Sequence, residues 1–172
     1  MKYYKYYKIV SLPGEGPAGF TLVEMALVVA LMGVALGLSL PYLSKPLALY
    51  RLKLSAQQMA QDLREVQQTA INEESSYYSV FFAVGNNYYE VQKVGEVLPK
   101  ITKRVVLPPT VKIVFTSFKD DWLKFTAKGT PTPTGGTVVL QDKVSGKYFY
   151  VIVASVTGRI RVSSTPPDNW GD

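Results

Sequence analysis

The chain has no cysteine and no histidine. Without cysteine there is no disulfide, so any folded part must be held by its own apolar core. Without histidine the commonest metal ligand is missing, and so is the side chain that most readily cycles a proton near neutral pH. Many nucleophile–base pairs and zinc sites are therefore excluded. A phosphate-cradling loop is also missing, because the glycines from Gly129 to Gly136 come with no Walker lysine and no following helix. Two acidic pairs remain. Asp120-Asp121 precedes Trp122 in a polar stretch and reads as a turn, although paired carboxylates could also ligate calcium. Glu73-Glu74 reads as the polar end of a helix. The chain is expected to be no enzyme, with no cofactor, no metal and no small-molecule substrate.

Charge is unevenly distributed. The 172 residues carry 19 basic and 13 acidic side chains, net +6. Residues 1–19 hold Lys2, Lys5, Lys8 and Glu15, and without them 16 basic and 12 acidic side chains remain. That mildly basic balance is compatible with an anionic partner but does not demand one. In contrast, the run 20–40 has 21 residues and one charge, Glu24. About 20 apolar residues suffice to cross a bilayer as a helix. A lone carboxylate inside such a segment costs roughly 2–3 kcal/mol or more, which marks it as functional.

Taken in order, residues 1–19 are tyrosine- and lysine-rich, then rich in proline and glycine. Their lysines fit retention on the cytoplasmic side of a membrane. Within 20–40, Ala26, Ala30, Gly33 and Gly37 fall on one stripe, and Gly33-x-x-x-Gly37 is a close-packing pattern between membrane helices. Small residues are also simply common in such helices. Pro41 and Pro46 are expected to bend or break the helix at the outer boundary, with Pro41 as the kink. Residues 47–74 regain helical period. Leu49, Leu52, Ala56, Met59, Ala60, Leu63, Val66, Ala70 and Ile71 form the apolar face, and Gln57, Gln58, Gln61, Asp62, Arg64, Glu65, Gln68 and Asn72 the polar one. Strands are expected from residue 77 onward. They comprise a hairpin of 77–84 and 88–94 turning at 85–87, then 104–107, 111–117, 122–127, 137–141, 148–155 and 159–163, with 128–136 as a loop. The pattern gives an α+β class: a long N-terminal helix, membrane-embedded in its first half, packed on antiparallel sheets. Its segments are 1–19, a transmembrane 20–46 and a head of 47–172.

Gly19 followed by Phe20-Thr21-Leu22-Val23-Glu24 resembles the processing motif of type IV prepilins and type II secretion pseudopilins. The resemblance implies cleavage between Gly19 and Phe20 by a prepilin peptidase and N-methylation of Phe20. It also implies that Glu24 neutralises a neighbouring subunit's amino terminus during filament assembly. Pro41 falls where many members carry a helix-bending proline. Ala18 departs from the pattern, since Lys or Arg is commoner before the glycine. Thr21-x-x-Glu24 fits equally a capping box, which satisfies free N–H groups at a helix start.

Further on come Leu123-x-Phe125-x-x-x-Gly129, Gly136-Thr137-Val138-Val139-Leu140, Tyr150-Val151-Ile152-Val153 and Thr157-Gly158-Arg159-Ile160-Arg161-Val162. This series is similar to the GspH/FimT group of minor pseudopilins and pilins. It implies two antiparallel sheets beside the C-terminal half of the helix. It also implies a single-pass protein of the inner membrane, with its head in the periplasm or outside. The partners implied are other pilins or pseudopilins, the prepilin peptidase, the motor ATPase and the inner-membrane assembly platform. The function implied is that of a structural subunit of a type II secretion pseudopilus or a type IV pilus. The alternative is a minor pilin that binds DNA for uptake. Arg159 and Arg161 lie two apart in a strand and share a face, with Lys143 and Lys147 in the neighbouring hairpin. An outward basic face, or arginines paired to another subunit's carboxylates, explains the same residues.

Overall fold

The computed structural model describes residues 19–74, 78–94 and 99–167, with the side chains of all of these except 39–43 and Pro99. The expected leader lies outside the described residues, apart from Gly19. The chain divides into two compact units, Met1–Pro41 and Tyr42–Asp172.

One helix, α1 (Leu22–Asn72), carries both apolar patterns. Helical structure continues through Pro41 and Pro46, so neither proline ends it. The bend expected at Pro41 involves a side chain outside those described. In the second unit Leu52, Ala56, Met59, Ala60, Leu63, Val66 and Ala70 are buried, as the period requires. Two positions expected on the buried face are not buried. Leu49 is 41% exposed and Ile71 38%. Asp62, expected on the polar face, is only 6% exposed. Angle accounts for Asp62 and Ile71. Relative to Met59, at about 100° per residue, Asp62 lies only about 60° away, as buried Ala56 does, whereas Ile71 lies about 120° away. Asp62 sits inside the buried stripe despite its charge.

Among the described residues nine strands follow: β1 (Tyr78–Phe82), β2 (Tyr88–Val94), β3 (Pro99–Val106), β4 (Val111–Thr116), β5 (Trp122–Phe125), β6 (Pro131–Thr132), β7 (Gly136–Asp142), β8 (Tyr148–Val153) and β9 (Ile160–Ser163). They form a five-stranded sheet, β3-β2-β1-β5-β6, and a four-stranded sheet, β4-β7-β8-β9. Every pairing is antiparallel. The expected hairpin is β1–β2, with Phe82 opposite Tyr89 and Gly85 turning at φ 83°. Two strands depart from expectation. β3 begins at Pro99, because its charged residues pair along β2 where hydropathy gave no sign of a strand. β6 lies inside the expected loop 128–136, as Lys124 and Phe125 pair with Thr132 and Pro131.

The sheets join at the β1–β2 turn. Gly85 N–H donates to the Ile113 carbonyl at 2.8 Å, and Ile113 N–H donates to the Asn86 carbonyl at 2.9 Å. A single apolar cluster runs from Leu52, Met59 and Leu63 of α1 through Val80, Phe82 and Leu123 of one sheet to Val138, Leu140 and Val151 of the other. Each fully buried large aliphatic side chain contributes about 1.5–3 kcal/mol.

Candidate functional site

At the start of α1, Thr21 caps the helix. The Glu24 backbone N–H donates to Thr21 Oγ1 at 3.2 Å, one half of the capping box. Glu24 occupies the first helical turn, where the helix dipole favours an anion, and its side chain is exposed. The large apolar side chains around it are exposed among the described residues. Phe20 is 78% exposed, Leu22 86%, Val23 76% and Leu36 69%. Every side chain from 20 to 38 is exposed. A Cβ placed on Gly33 or Gly37 would meet nothing within 4 Å, so the small-residue stripe is open. Among the described residues no helix is long and apolar enough to cross a membrane.

The head grips α1 through polar contacts that the sequence did not announce. The buried carboxylate of Asp62 accepts from Tyr89 Oη at 2.5 Å and from Lys103 Nζ at 2.9 Å. Glu65 lies 3.5 Å from the same ammonium. Burial, and then the Asp62 carboxylate, push the Tyr89 phenol far above its ordinary range. The hydrogen bond to Asp62 raises Lys103 against a smaller opposing effect of burial. These pairs tie the helix to β2 and to the edge strand β3.

Lower on the helix, Gln67 Nε2 donates to the Gly129 carbonyl at 2.6 Å and to the Gly158 carbonyl at 3.0 Å. Gly129 follows β5 in one sheet, and Gly158 turns between β8 and β9 in the other. One amide therefore fastens both sheets to the helix. The approach leaves no room for a side chain. A Cβ on Gly158, whose φ is 65°, would lie 2.2 Å from the Gly129 carbonyl oxygen. Arg64 adds a bond to the Ile160 carbonyl at 3.0 Å. A polar residue on a polar helix face gives no sign of such a role. Gly129 and Gly158 stood in the sequence as loop and turn glycines, with no sign that they meet.

The expected basic patch is dispersed. Arg159 and Arg161 are both exposed, flanking the buried Ile160. Arg161 pairs opposite Ile152, near the end of β8. Lys143 and Lys147 lie in the β7–β8 turn, at the other end of β8. The five steps from 147 to 152 span about 17 Å of strand, so the lysines do not join the arginines. Asp120 and Asp121 form the expected turn within the 3₁₀ segment Lys119–Asp121. Among the described residues no group of three or more potential ligands is placed to hold a metal ion.

No protein-family model matches the chain, and no curated protein matches it by sequence. Two solved structures are similar to it. The minor pseudopilin EpsH from the type 2 secretion system of Vibrio cholerae superimposes with a TM-score of 0.56 at 15% identity, over 66% of this chain and 96% of EpsH. The type IV minor pilin FimU of Pseudomonas aeruginosa superimposes with a TM-score of 0.56 at 16% identity, over 68% of this chain and 92% of FimU. The chain has a pilin-like fold.

Proposed function

We infer that the chain is a non-enzymatic minor pilin or pseudopilin, anchored in the inner membrane by residues 20–40 and assembled with other subunits through that segment. The observation that carries this reading is the uniformly exposed apolar start of α1, bearing one carboxylate in its first turn. Apolar side chains of this kind, left without partners in water, call for lipid or a protein surface. The carboxylate calls for a cation, which an adjacent subunit's amino terminus would supply at low cost inside the bilayer. The Gly19-Phe20 junction supplies that amine if a prepilin peptidase cuts there, and methylation of Phe20 follows in the same scheme. Support also comes from the head, whose fold is that of a minor pseudopilin and a minor pilin. The exposed stripe Ala26, Ala30, Gly33 and Gly37 would let a second helix approach closely. A prepilin peptidase, a motor ATPase and an assembly platform would be its machinery.

The test is made in the cell that produces the protein. Mass spectrometry of the membrane fraction is expected to find a chain beginning at methylated Phe20, and Gly19→Ala is expected to leave residues 1–19 attached. Glu24→Ala is expected to leave the chain folded and in the membrane but to abolish its cross-linking to other subunits. A native chain beginning at Met1, or cross-linking undiminished by Glu24→Ala, overturns the reading.

A further inference from the structure

The outer face of the five-stranded sheet does not look like a face that only meets water. In β1 and β5, Val80, Phe82, Leu123 and Phe125 point into the core and are fully buried. Their alternates Ser79, Phe81, Trp122 and Lys124 therefore share the opposite face, where Ser79 pairs with Lys124 and Phe81 with Trp122. The Phe81 and Trp122 rings meet at 5.0 Å between centroids. Beside them is a cavity of about 510 Å³, lined by Ser79, Val94, Lys119, Asp120, Trp122, Lys124, Thr132 and Pro133. That size lies within the range of small-ligand sites. Ser79 is only 1% exposed, and among the described residues its Oγ has no hydrogen-bond partner. Buried hydroxyls are nearly always satisfied, so an orphan on a cavity wall points to a missing partner. The rim is held in an uncommon conformation, with Asp120 at φ 54° and Asp121 at φ 62°. For non-glycine residues that region is costly and recurs at ligand sites.

The wall chemistry narrows the ligand. A metal cation would not be met by two lysines. A simple anion would not be met by Asp120. A purely apolar ligand would have no use for two hydroxyls, two ammonium groups and a carboxylate. The lining combines the apolar surface of an indole and a proline ring with the donors and acceptor of Ser79, Thr132, Lys119, Lys124 and Asp120. A pyranose fits that combination, because it has a C–H face to stack and hydroxyls that both donate and accept. Two lysines against one aspartate favour a sugar that carries its own carboxylate. The geometry points to a binding site for an acidic saccharide, of the uronate class, on the outer face of the five-stranded sheet. Trp122 stacks on the ring, the lysines hold the carboxylate and Ser79 meets a ring hydroxyl.

The test uses the purified full chain in detergent, titrated with tetragalacturonate and, separately, with neutral cellotetraose and with sodium sulfate. Binding is read by calorimetry. Saturable binding of tetragalacturonate is expected, with cellotetraose at least about tenfold weaker. Trp122→Ala is expected to weaken tetragalacturonate by about tenfold or more, the equivalent of one lost aromatic stack. Lys124→Gln provides an independent variant should Trp122→Ala not fold, and it is expected to abolish the preference for the acidic sugar. The proposal is overturned if tetragalacturonate does not saturate by about 10 mM. It is also overturned if cellotetraose binds as tightly, if sulfate binds in the same way, or if a folded variant binds like the unaltered chain.

Discussion

Two stretches of one helix obey opposite rules. From 20 to 38 every side chain is exposed, and the apolar residues run all the way round. From 48 to 70 a stripe including Leu52, Met59 and Leu63 is buried while Arg51, Lys53, Gln57, Gln58 and Gln61 stay exposed. Both stretches are helical, so backbone preference does not distinguish them. What differs is where the apolar surface goes. The second stretch needs a partner on one side and finds it in the sheets. The first needs surroundings that are apolar on all sides, which nothing else described in the chain supplies. Stability should therefore depend on the second stretch and assembly on the first.

The sharpest way to break that contrast is to truncate one leucine in each stretch. Leu63→Ala should destabilise the head by about 2–5 kcal/mol in urea unfolding, because it opens a cavity where Leu63 is fully buried. Leu31→Ala, at a residue 61% exposed, should change the same midpoint by less than about 0.5 kcal/mol. Equal effects would refute the division.

Next in size come the polar fastenings. Asp62→Ala should cost about 3 kcal/mol, since it strands the buried Tyr89 hydroxyl and removes the partner of Lys103. Gly158→Ala should cost about 2 kcal/mol or more, from its positive φ and the collision with Gly129. Gly85→Ala provides the control. It also has positive φ, but open space around it, and should cost only about 1 kcal/mol.

The smallest effect concerns pH. Burial alone would raise the carboxyl of Asp142, but the Ser145 and Val144 backbone N–H groups, which donate to its Oδ2 at 2.6 and 3.0 Å, outweigh it and hold the group below its ordinary range. A depressed folded-state pKa means that the stability it contributes is complete above the ordinary carboxylate value. That contribution is lost as pH falls through the lower folded value. Thermal melts should therefore decline below about pH 4, and Asp142→Asn should flatten the decline. An unchanged slope would sink this assignment.

Much of this could be read from residue order. The 3.6-residue period of 47–74 and the alternation of 88–94 fixed element types, because the pattern of apolar residues follows from the repeat of the backbone itself. The Gly19-Phe20-Glu24 spacing, on which the proposed function draws, is legible for the same reason: it is local. Ile71 and Asp62 were misassigned because residue identity was used where angle decides. β6 was missed because two residues become a strand only when Lys124 and Phe125 lie beside them. Lys143 and Lys147 were grouped with Arg159 and Arg161 because nearness in the chain is a poor guide to which end of a strand a residue occupies.

Sequence alone determined the long helix, its two characters, the β-rich head and the lone acid near Phe20, each of which depends on neighbours within a few positions. Tertiary structure decided the rest. The bonds from Gln67 to two glycines more than 60 positions away, the burial of Asp62 against Tyr89 and Lys103, and the cavity beside Trp122 exist only because distant segments pack together. No short-range pattern encodes such contacts, since the energy that fixes them comes from burial shared across the whole head.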